Sequence, residues 1–244
     1  MAAEHSSSSK RVSALRSVGA SIICAASALS LVGCSTGGEL PEVTPDNGPP
    51  EVTEPERLQL PFLVEDHFVP SGCFGDANCS SEVLTIDAHG CSDERPSAQG
   101  ICRRYSYRPL AEGTPGAQGY LGILFQMVDP LHPNQVEIGR VPGRPIAAGA
   151  RRVTFWARVA GDPVLVSFRA GGANNWGGES NPDLPYKDTF GVPKPVTLTK
   201  TFQHVQIDLT GVTYDSVVSP FGWAIEPQGA TDPIDLDIDD VRWE

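Results

Sequence analysis

Hydrophobic and polar residues alternate in several short segments of the chain. In residues 153–159, VTFWARV, every second side chain is apolar, and residues 164–169, VLVSFR, follow the same alternation. Residues 234–238, IDLDI, place apolar side chains on one face and acids on the other. A period of two is the signature of a β-strand with one face on a hydrophobic core. The pattern therefore predicts strands at these three places.

Glycine and proline recur along the chain from about residue 59, and short segments rich in Val, Ile, Phe and Thr lie between them. No window of 11–18 residues has convincing helical periodicity, so we expect an all-β sandwich. The turn sequence AGDP at 160–163 predicts that the segments 153–159 and 164–169 form a β-hairpin. Trp223 and Trp243 alternate with apolar neighbours and are expected in the core or at its rim. The remaining predicted strands are 62–68, 82–87, 101–107, 120–128, 196–199, 203–209, 217–226 and 234–243.

Residues 1–33 have the pattern of a secretory signal. Lys10, Arg11 and Arg16 precede the apolar segment 18–32, which carries no charge. A basic segment followed by a short apolar segment is typical of a signal peptide. The apolar segment is shorter than the roughly 20 residues that span a bilayer. We therefore expect the chain to be exported.

The signal ends in Leu31-Val32-Gly33-Cys34, which resembles the bacterial lipobox. The resemblance implies cleavage before Cys34 and acylation of its thiol, and two or more acyl chains anchor a protein stably to a membrane. Ser35 follows the cysteine, which by resemblance to Gram-negative lipoproteins implies the outer membrane or the cell surface. The alternative is a secreted protein cut nearby, with Cys34 as an incidental thiol.

Residues 34–58 are predicted to be a linker that follows the signal peptide 1–33 and precedes a domain at 59–244. The segment carries five prolines, repeats the sequence PEVT at 41–44 and 50–53, and has almost nothing to bury. Proline and like charges favour an extended spacer. About 185 residues then remain, which suffice for one domain with a hydrophobic core.

The charge of the chain argues against nucleic acid as a partner. The formal net charge is −12, and removal of residues 1–33, with three basic residues and one acidic residue, makes it −14. An acidic surface repels phosphate backbones and anionic headgroups.

Four cysteines remain after the signal and the proposed anchor: Cys73, Cys79, Cys91 and Cys102. An even set in an exported chain favours two disulfides. We favour Cys73–Cys79 and Cys91–Cys102, although four cysteines allow three pairings. A zinc site is the alternative, but the spacings do not match paired CxxC knuckles.

Four segments in a fixed order resemble the jelly-roll β-sandwiches of carbohydrate-binding modules and related galactose-binding-like domains. They are an opening VEDHF at 64–68, GARRVTFWAR at 149–158, VTLTKTFQHVQIDL at 196–209 and a closing LDIDDV at 236–241. The resemblance covers nearly the whole domain. It implies a jelly-roll of two antiparallel sheets, although a fold alone does not fix a function.

The resemblance also implies a structural calcium ion between the opening strand and the closing strand. Calcium takes six to eight oxygen ligands, several of them carboxylates. The matching positions are Glu65, Asp66 and Asp240, with Asp239 nearby. The alternative is that these acids are solvated or paired with arginines.

Aromatic side chains are the candidates for a sugar platform, because pyranose rings stack on flat aromatic faces beside polar groups. Trp176 lies in a glycine-rich loop with Asn174 and Asn175, and it could equally fold back as a lid on the sandwich. Trp156 and Arg158 share the polar face of their strand, where Trp156 could bind a sugar or pack beneath a loop. The remaining candidates are Tyr120 and Tyr186.

These features favour a non-enzymatic, membrane-anchored glycan-binding lipoprotein. The sequence contains no GxSxG, HExxH or P-loop motif, and the acids of the long loop, among them Glu179, Asp183 and Asp188, are a weak signal for glycoside hydrolysis. An envelope structural or protein-interaction module is the alternative, and a glycanase is a third.

Overall fold

Short alternating segments form thirteen β-strands in the computed structural model, which describes residues 56–128, 138–173, 185–227 and 232–244. Within these ranges there is no α-helix, and the only helical segments are three short 3-10 helices at Val64–Asp66, Asp76–Cys79 and Ser92–Glu94. The strands are β1 Phe62–Leu63, β2 Val69–Gly75, β3 Leu84–Asp87, β4 Arg103–Tyr107, β5 Leu121–Gln126, β6 Arg144–Pro145, β7 Arg152–Val159, β8 Val164–Gly171, β9 Gly191–Leu198, β10 Gln203–Asp208, β11 Ser216–Val217, β12 Phe221–Ile225 and β13 Ile234–Trp243.

Two antiparallel sheets carry most of these strands. Sheet I has the order β10-β7-β13-β4-β3, with β1 paired to β13, and sheet II has the order β2-β5-β12-β8-β9. Strands β6 and β11 form a separate pair. Strands that are consecutive in sequence, such as β4 and β5 or β12 and β13, lie in different sheets. The all-β, jelly-roll sandwich that the sequence predicts is confirmed.

Aromatic side chains from both sheets fill the space between them. The ring centroids of Phe155 and Phe168 are 4.5 Å apart, and those of Tyr105 and Trp223 are 5.0 Å apart. All four side chains are buried, and burial of each large apolar side chain contributes about 1.5–3 kcal/mol. The apolar face of each alternating segment therefore points to the core.

Trp223 and Trp243 are both fully buried, which confirms their predicted place in the core. The indole of Trp243 donates a hydrogen bond from Nε1 to the carbonyl oxygen of Pro220 at 3.0 Å. Large aromatic side chains with one polar group are stable in a core when that group has a partner.

The predicted β-hairpin at 153–169 is wrong. Strand β7 pairs with β10 and β13 in sheet I, whereas β8 pairs with β12 and β9 in sheet II. The turn at 160–163 carries the chain from one sheet to the other, so that Phe155 and Phe168 face each other across the core. Alternation gave the inward face of each strand correctly, but it contains no information about the pairing partner.

The opening strand is shorter than predicted. In the segment 62–68 only Phe62–Leu63 pairs, with β13, and Val64–Asp66 turns into a 3-10 helix. The segment 217–226 is split into β11 and β12, and β9 begins at Gly191, well before its predicted start at 196. Among the described residues, no helix is long and apolar enough to cross a membrane.

Candidate functional site

The loop that carries Asn174, Asn175 and Trp176 lies outside the described residues, so the glycan contacts expected there stay predictions. The described residues on either side of it are joined by two hydrogen bonds. The Ala173 amide donates to Asp188 Oδ2 at 2.8 Å, and the Asp188 amide donates to the Ala173 carbonyl at 3.2 Å.

Asp188 is held by backbone groups rather than presented to a ligand. Its carboxylate also accepts hydrogen bonds from the amides of Val218 and Ser219, at 2.7 and 3.2 Å. Burial raises the pKa of Asp188 to about 6, against the lowering effect of these amides. The carboxylate therefore links Ala173 to Val218 and Ser219. The other two acids considered for glycoside hydrolysis, Glu179 and Asp183, lie outside the described residues.

Tyr120 lies immediately before β5, in sheet II. Its ring is tilted against that of Phe74 with the centroids 6.2 Å apart, and its hydroxyl donates a hydrogen bond to Gln118 Oε1 at 2.9 Å. Trp156 and Arg158 belong to β7 in sheet I. The structure therefore places Tyr120 next to sheet II, whereas Trp156 and Arg158 lie in sheet I.

Trp156 has an aromatic neighbour on the outer face of sheet I. Strands β7 and β10 pair so that Trp156 lies opposite His204, and their ring centroids are 4.8 Å apart with an interplanar angle of 48°. Trp156 is partly exposed and His204 is exposed. A partly exposed indole beside an imidazole offers apolar surface next to a hydrogen-bonding group.

Arg158 extends the same surface. Its guanidinium carbon lies 4.5 Å from the centroid of the Phe202 ring, which is within cation–π range. Phe202 is partly exposed and immediately precedes β10. We define the Trp156 patch as Trp156, Arg158, Phe202 and His204.

Ion pairs fix Arg158 in this position. Its Nε donates to Asp237 Oδ2 at 2.8 Å, and its Nη1 lies 2.6 Å from Glu94 Oε2. Arg104 binds the same Asp237 carboxylate through two hydrogen bonds of 2.8 and 2.9 Å. Burial disfavours the charge of Arg158, but the bonds to Asp237 and Glu94 outweigh it and raise the pKa of the guanidinium. Arg158 therefore stays charged and oriented.

A second ion pair borders Trp156 on the side of β13. Asp239 lies opposite Trp156 in the β7–β13 pairing, and its carboxylate accepts hydrogen bonds from Arg95 Nη2 and Nε at 2.6 and 3.2 Å. Burial raises the pKa of Asp239, although Arg95 acts to lower it. The indole is thus flanked by polar groups on both sides.

Both predicted disulfides are confirmed, Cys73–Cys79 and Cys91–Cys102. The second closes the segment that carries Glu94 and Arg95, so it holds both side chains over sheet I. Since all four cysteines are paired, the alternative of a cysteine zinc site is excluded.

The part of the outer face of sheet II that β2 and β5 form is covered by contrast. A Cβ atom added to Gly122 would lie 2.2 Å from Cζ of Phe74, so the Phe74 ring rests directly on that glycine. Leu124 points to the same face and is buried, and Gly72 beside it would place a Cβ atom 3.1 Å from Ile138. Aromatic and small residues here are therefore packed together rather than open to a ligand.

The three acids expected to bind calcium have different surroundings. Asp66 is exposed, and the two oxygens of Asp240 are bonded to Arg242 Nε at 2.6 Å and Ser97 Oγ at 2.7 Å. Glu65 is different, because its Oε2 atom is buried and has no hydrogen-bond partner among the described residues. Burial raises the pKa of Glu65 to about 7, with a smaller contribution from Asp240.

The described residues contain no group of three or more His, Cys, Asp and Glu side chains that could hold a metal ion. A calcium ion at Glu65 would therefore need oxygen donors in addition to the predicted carboxylates. Calcium stays a prediction with one unpartnered carboxylate oxygen in its favour.

His204 and Phe202 are the site residues that the sequence did not single out. Each of the segments 153–159 and 203–209 shows which of its side chains face outwards. Only the pairing of β7 with β10, which are distant in the sequence, brings His204 to Trp156. A search for aromatic and imidazole side chains on or beside the polar faces of predicted strands would have found both.

No protein-family model and no curated protein matches the sequence. Solved structures of carbohydrate-binding modules resemble the fold at low similarity. The family 11 module of the cellulosomal cellulase Lic26A-Cel5E of Clostridium thermocellum is 9% identical, with a TM-score of 0.37 over 70% of this chain and 85% of that chain. The TmCBM61 module in complex with β-1,4-galactotriose is 13% identical, with a TM-score of 0.38 over 75% and 93%.

The CBM22-1 xylan-binding domain of Xyn10C from Paenibacillus barcinonensis is 11% identical, with a TM-score of 0.36 over 76% of this chain and 91% of that chain. Similarity this low transfers neither a ligand nor a site, and the fold assignment rests on the strand pairings described above.

Proposed function

We propose that this protein is a non-enzymatic, extracytoplasmic lipoprotein that binds glycan through the Trp156 patch. The observation that carries the proposal is the partly exposed Trp156 ring, supported by His204 at 4.8 Å and bordered by fixed charged groups. Sugar rings combine an apolar C–H face with a rim of hydroxyls. A rigid aromatic surface with hydrogen-bonding neighbours is complementary to both.

The surroundings of the patch favour a neutral glycan over a strongly charged one. Arg158 is compensated by Asp237 and Glu94, and Arg95 is compensated by Asp239. Because each arginine already has a carboxylate partner, an anionic sugar would have to compete with that partner. A neutral hydroxyl needs only an additional hydrogen bond.

Affinity electrophoresis of the full-length protein in gels that contain neutral polysaccharides tests the proposal. Trp156→Ala should reduce the affinity by about thirtyfold, because a central aromatic contact contributes about 2 kcal/mol. Ile86→Ala is the matched control, since Ile86 is 40% exposed and lies on β3 at the far edge of sheet I. No retardation of the folded protein by any polysaccharide would refute glycan binding.

Anchoring is part of the same proposal and has its own test. Residues 31–34 support acylation of Cys34, and two or more acyl chains hold a domain stably at a membrane. The protein should incorporate radiolabelled palmitate and enter the detergent phase on phase separation. Cys34→Ala should abolish both, and labelling that survives the substitution would contradict the anchor.

A further inference from the structure

A groove of about 390 Å³ lies at one end of the sandwich, away from the Trp156 patch. It is lined by the β7–β8 turn, by Glu226 and Pro227 after β12, by Asp232 and Pro233 before β13, and by Lys200 in the β9–β10 turn. A cavity of this size is in the range of small-molecule sites. None of these groups contributes to the proposed glycan surface.

The groove has an apolar part, which we call its floor. Pro163, Pro227 and Pro233 line it together with Leu165, whose side chain is 53% exposed. Proline rings have no N–H donor, so these walls offer hydrocarbon surface and carbonyl oxygens only. An apolar ligand segment could be buried here.

The rim of the groove is acidic and uncompensated. Asp162, Glu226 and Asp232 are exposed, and within the described parts of the chain none of them has an ion-pair partner. Of the described residues that line the groove, Lys200 is the only basic one. Three carboxylates beside one ammonium group leave a negative potential, which attracts a cation.

The chemistry of the lining indicates the kind of cation that would bind. They do not form a group that could hold a metal ion, because the described residues contain no such cluster. Separate carboxylates around a hydrocarbon floor are complementary to several positive charges joined by apolar spacers.

We propose that this groove binds an aliphatic polyamine, with ammonium groups at Asp162, Glu226 and Asp232 and methylene segments on the proline and leucine floor. The binding is independent of the glycan proposal, since the two surfaces share no residue.

Isothermal titration calorimetry of the full-length protein with spermidine at low ionic strength tests this inference. The double variant Glu226→Gln/Asp232→Asn should weaken binding by about fivefold, because two exposed charge pairs are lost. Leu165→Asn should weaken it by about fivefold through loss of apolar contact. Glu112→Gln, which changes an exposed acid outside the groove, should leave the affinity unchanged.

Three results would overturn the inference. One is the absence of binding heat with spermidine. Another is equal binding of spermidine, butylamine and Mg²⁺, which would show general charge screening. The third is binding of a pentalysine peptide without binding of spermidine, which would assign the groove to a basic segment of a partner protein.

Discussion

Acidic residues behave differently on the outer face of sheet I and in the groove at the end of the sandwich. On sheet I, Asp237 binds two arginines and Asp239 binds Arg95, and both carboxylates are buried. In the groove, Asp162 and Glu226 are exposed and have no ion-pair partner among the described residues. Removal of one member of a buried ion pair costs several kcal/mol of stability, whereas exposed acids contribute little to stability and are accessible to a ligand. The same residue type therefore stabilises the fold at one place and offers charge at another.

The largest effect is expected from Asp237→Asn. The substitution leaves Arg104 and Arg158 without the carboxylate that both bind, and loss of one member of a buried ion pair costs about 3 kcal/mol. Urea unfolding at pH 7 measures the change in the free energy of unfolding. A change no larger than that of an ordinary surface substitution, about 0.5 kcal/mol, would show that the sheet I ion pairs do not stabilise the fold.

A smaller effect is expected from Glu65, an acid whose carboxylate has one buried, unpartnered oxygen. Its pKa is raised to about 7 in the folded protein, so between the unfolded value near 4.5 and pH 7 the folded state binds more protons than the unfolded state. In buffer that contains EDTA, where no metal ion is bound, stability should therefore fall as the pH rises through this window, by about 2.5 kcal/mol between pH 5 and pH 8.

Glu65→Gln removes this titration, so the variant should have a flatter pH profile in the same denaturant experiment. Glu94→Gln is the control, because Glu94 is an exposed acid at the outside of the ion pairs around Arg158. An unchanged slope in Glu65→Gln would show that another group causes the pH dependence.

The proposed calcium ion would compensate the Glu65 carboxylate, which lacks a full set of partners among the described residues. Under this proposal EDTA lowers the melting temperature by about 3 °C or more, since metal release removes binding free energy from the folded state. The shift should be absent in Glu65→Gln. A midpoint that does not move with EDTA in the wild-type protein would argue against the metal.

The smallest effect on stability is expected in the groove. Asp162→Asn removes an exposed carboxylate that has no ion-pair partner among the described residues, and surface substitutions of this kind change stability by no more than about 0.5 kcal/mol. Differential scanning calorimetry measures it beside Asp237→Asn. A loss as large as that of a disrupted buried ion pair, about 3 kcal/mol, would show that Asp162 stabilises the fold as the acids of sheet I do, and would contradict the difference between the two regions.

Local patterns predicted the strands better than their partners. Residues 234–243 are predicted as one strand, and β13 has these bounds. The turn at 160–163 suggested a hairpin because it is a good turn sequence, but pairing is decided by contacts with β10, β13, β12 and β9 that are distant in the chain. The beginning of β9 was missed because Pro193 and Pro195 are unusual in strands, and β9 tolerates them as the edge strand of sheet II.

Only part of the Trp156 patch can be predicted from the sequence, because the other part depends on strand pairing. The alternation in residues 153–159 placed Trp156 and Arg158 on the face opposite the core, and the structure has them there. Their aromatic neighbours Phe202 and His204 depend on strand pairing, which no local pattern reveals. The preferred disulfides, by contrast, were the two local loops and are confirmed.

The four indole N–H resonances of the protein test the glycan proposal most directly. A ¹⁵N–¹H NMR titration follows Trp156, Trp176, Trp223 and Trp243 at once. The ligand is an oligosaccharide of a polysaccharide that retards the protein in affinity electrophoresis, and single Trp→Phe variants assign the resonances. The account predicts that the Trp156 resonance shifts with saturation while those of the buried Trp223 and Trp243 stay in place. A shift of Trp176 with no change at Trp156 would contradict the Trp156 patch as the binding surface.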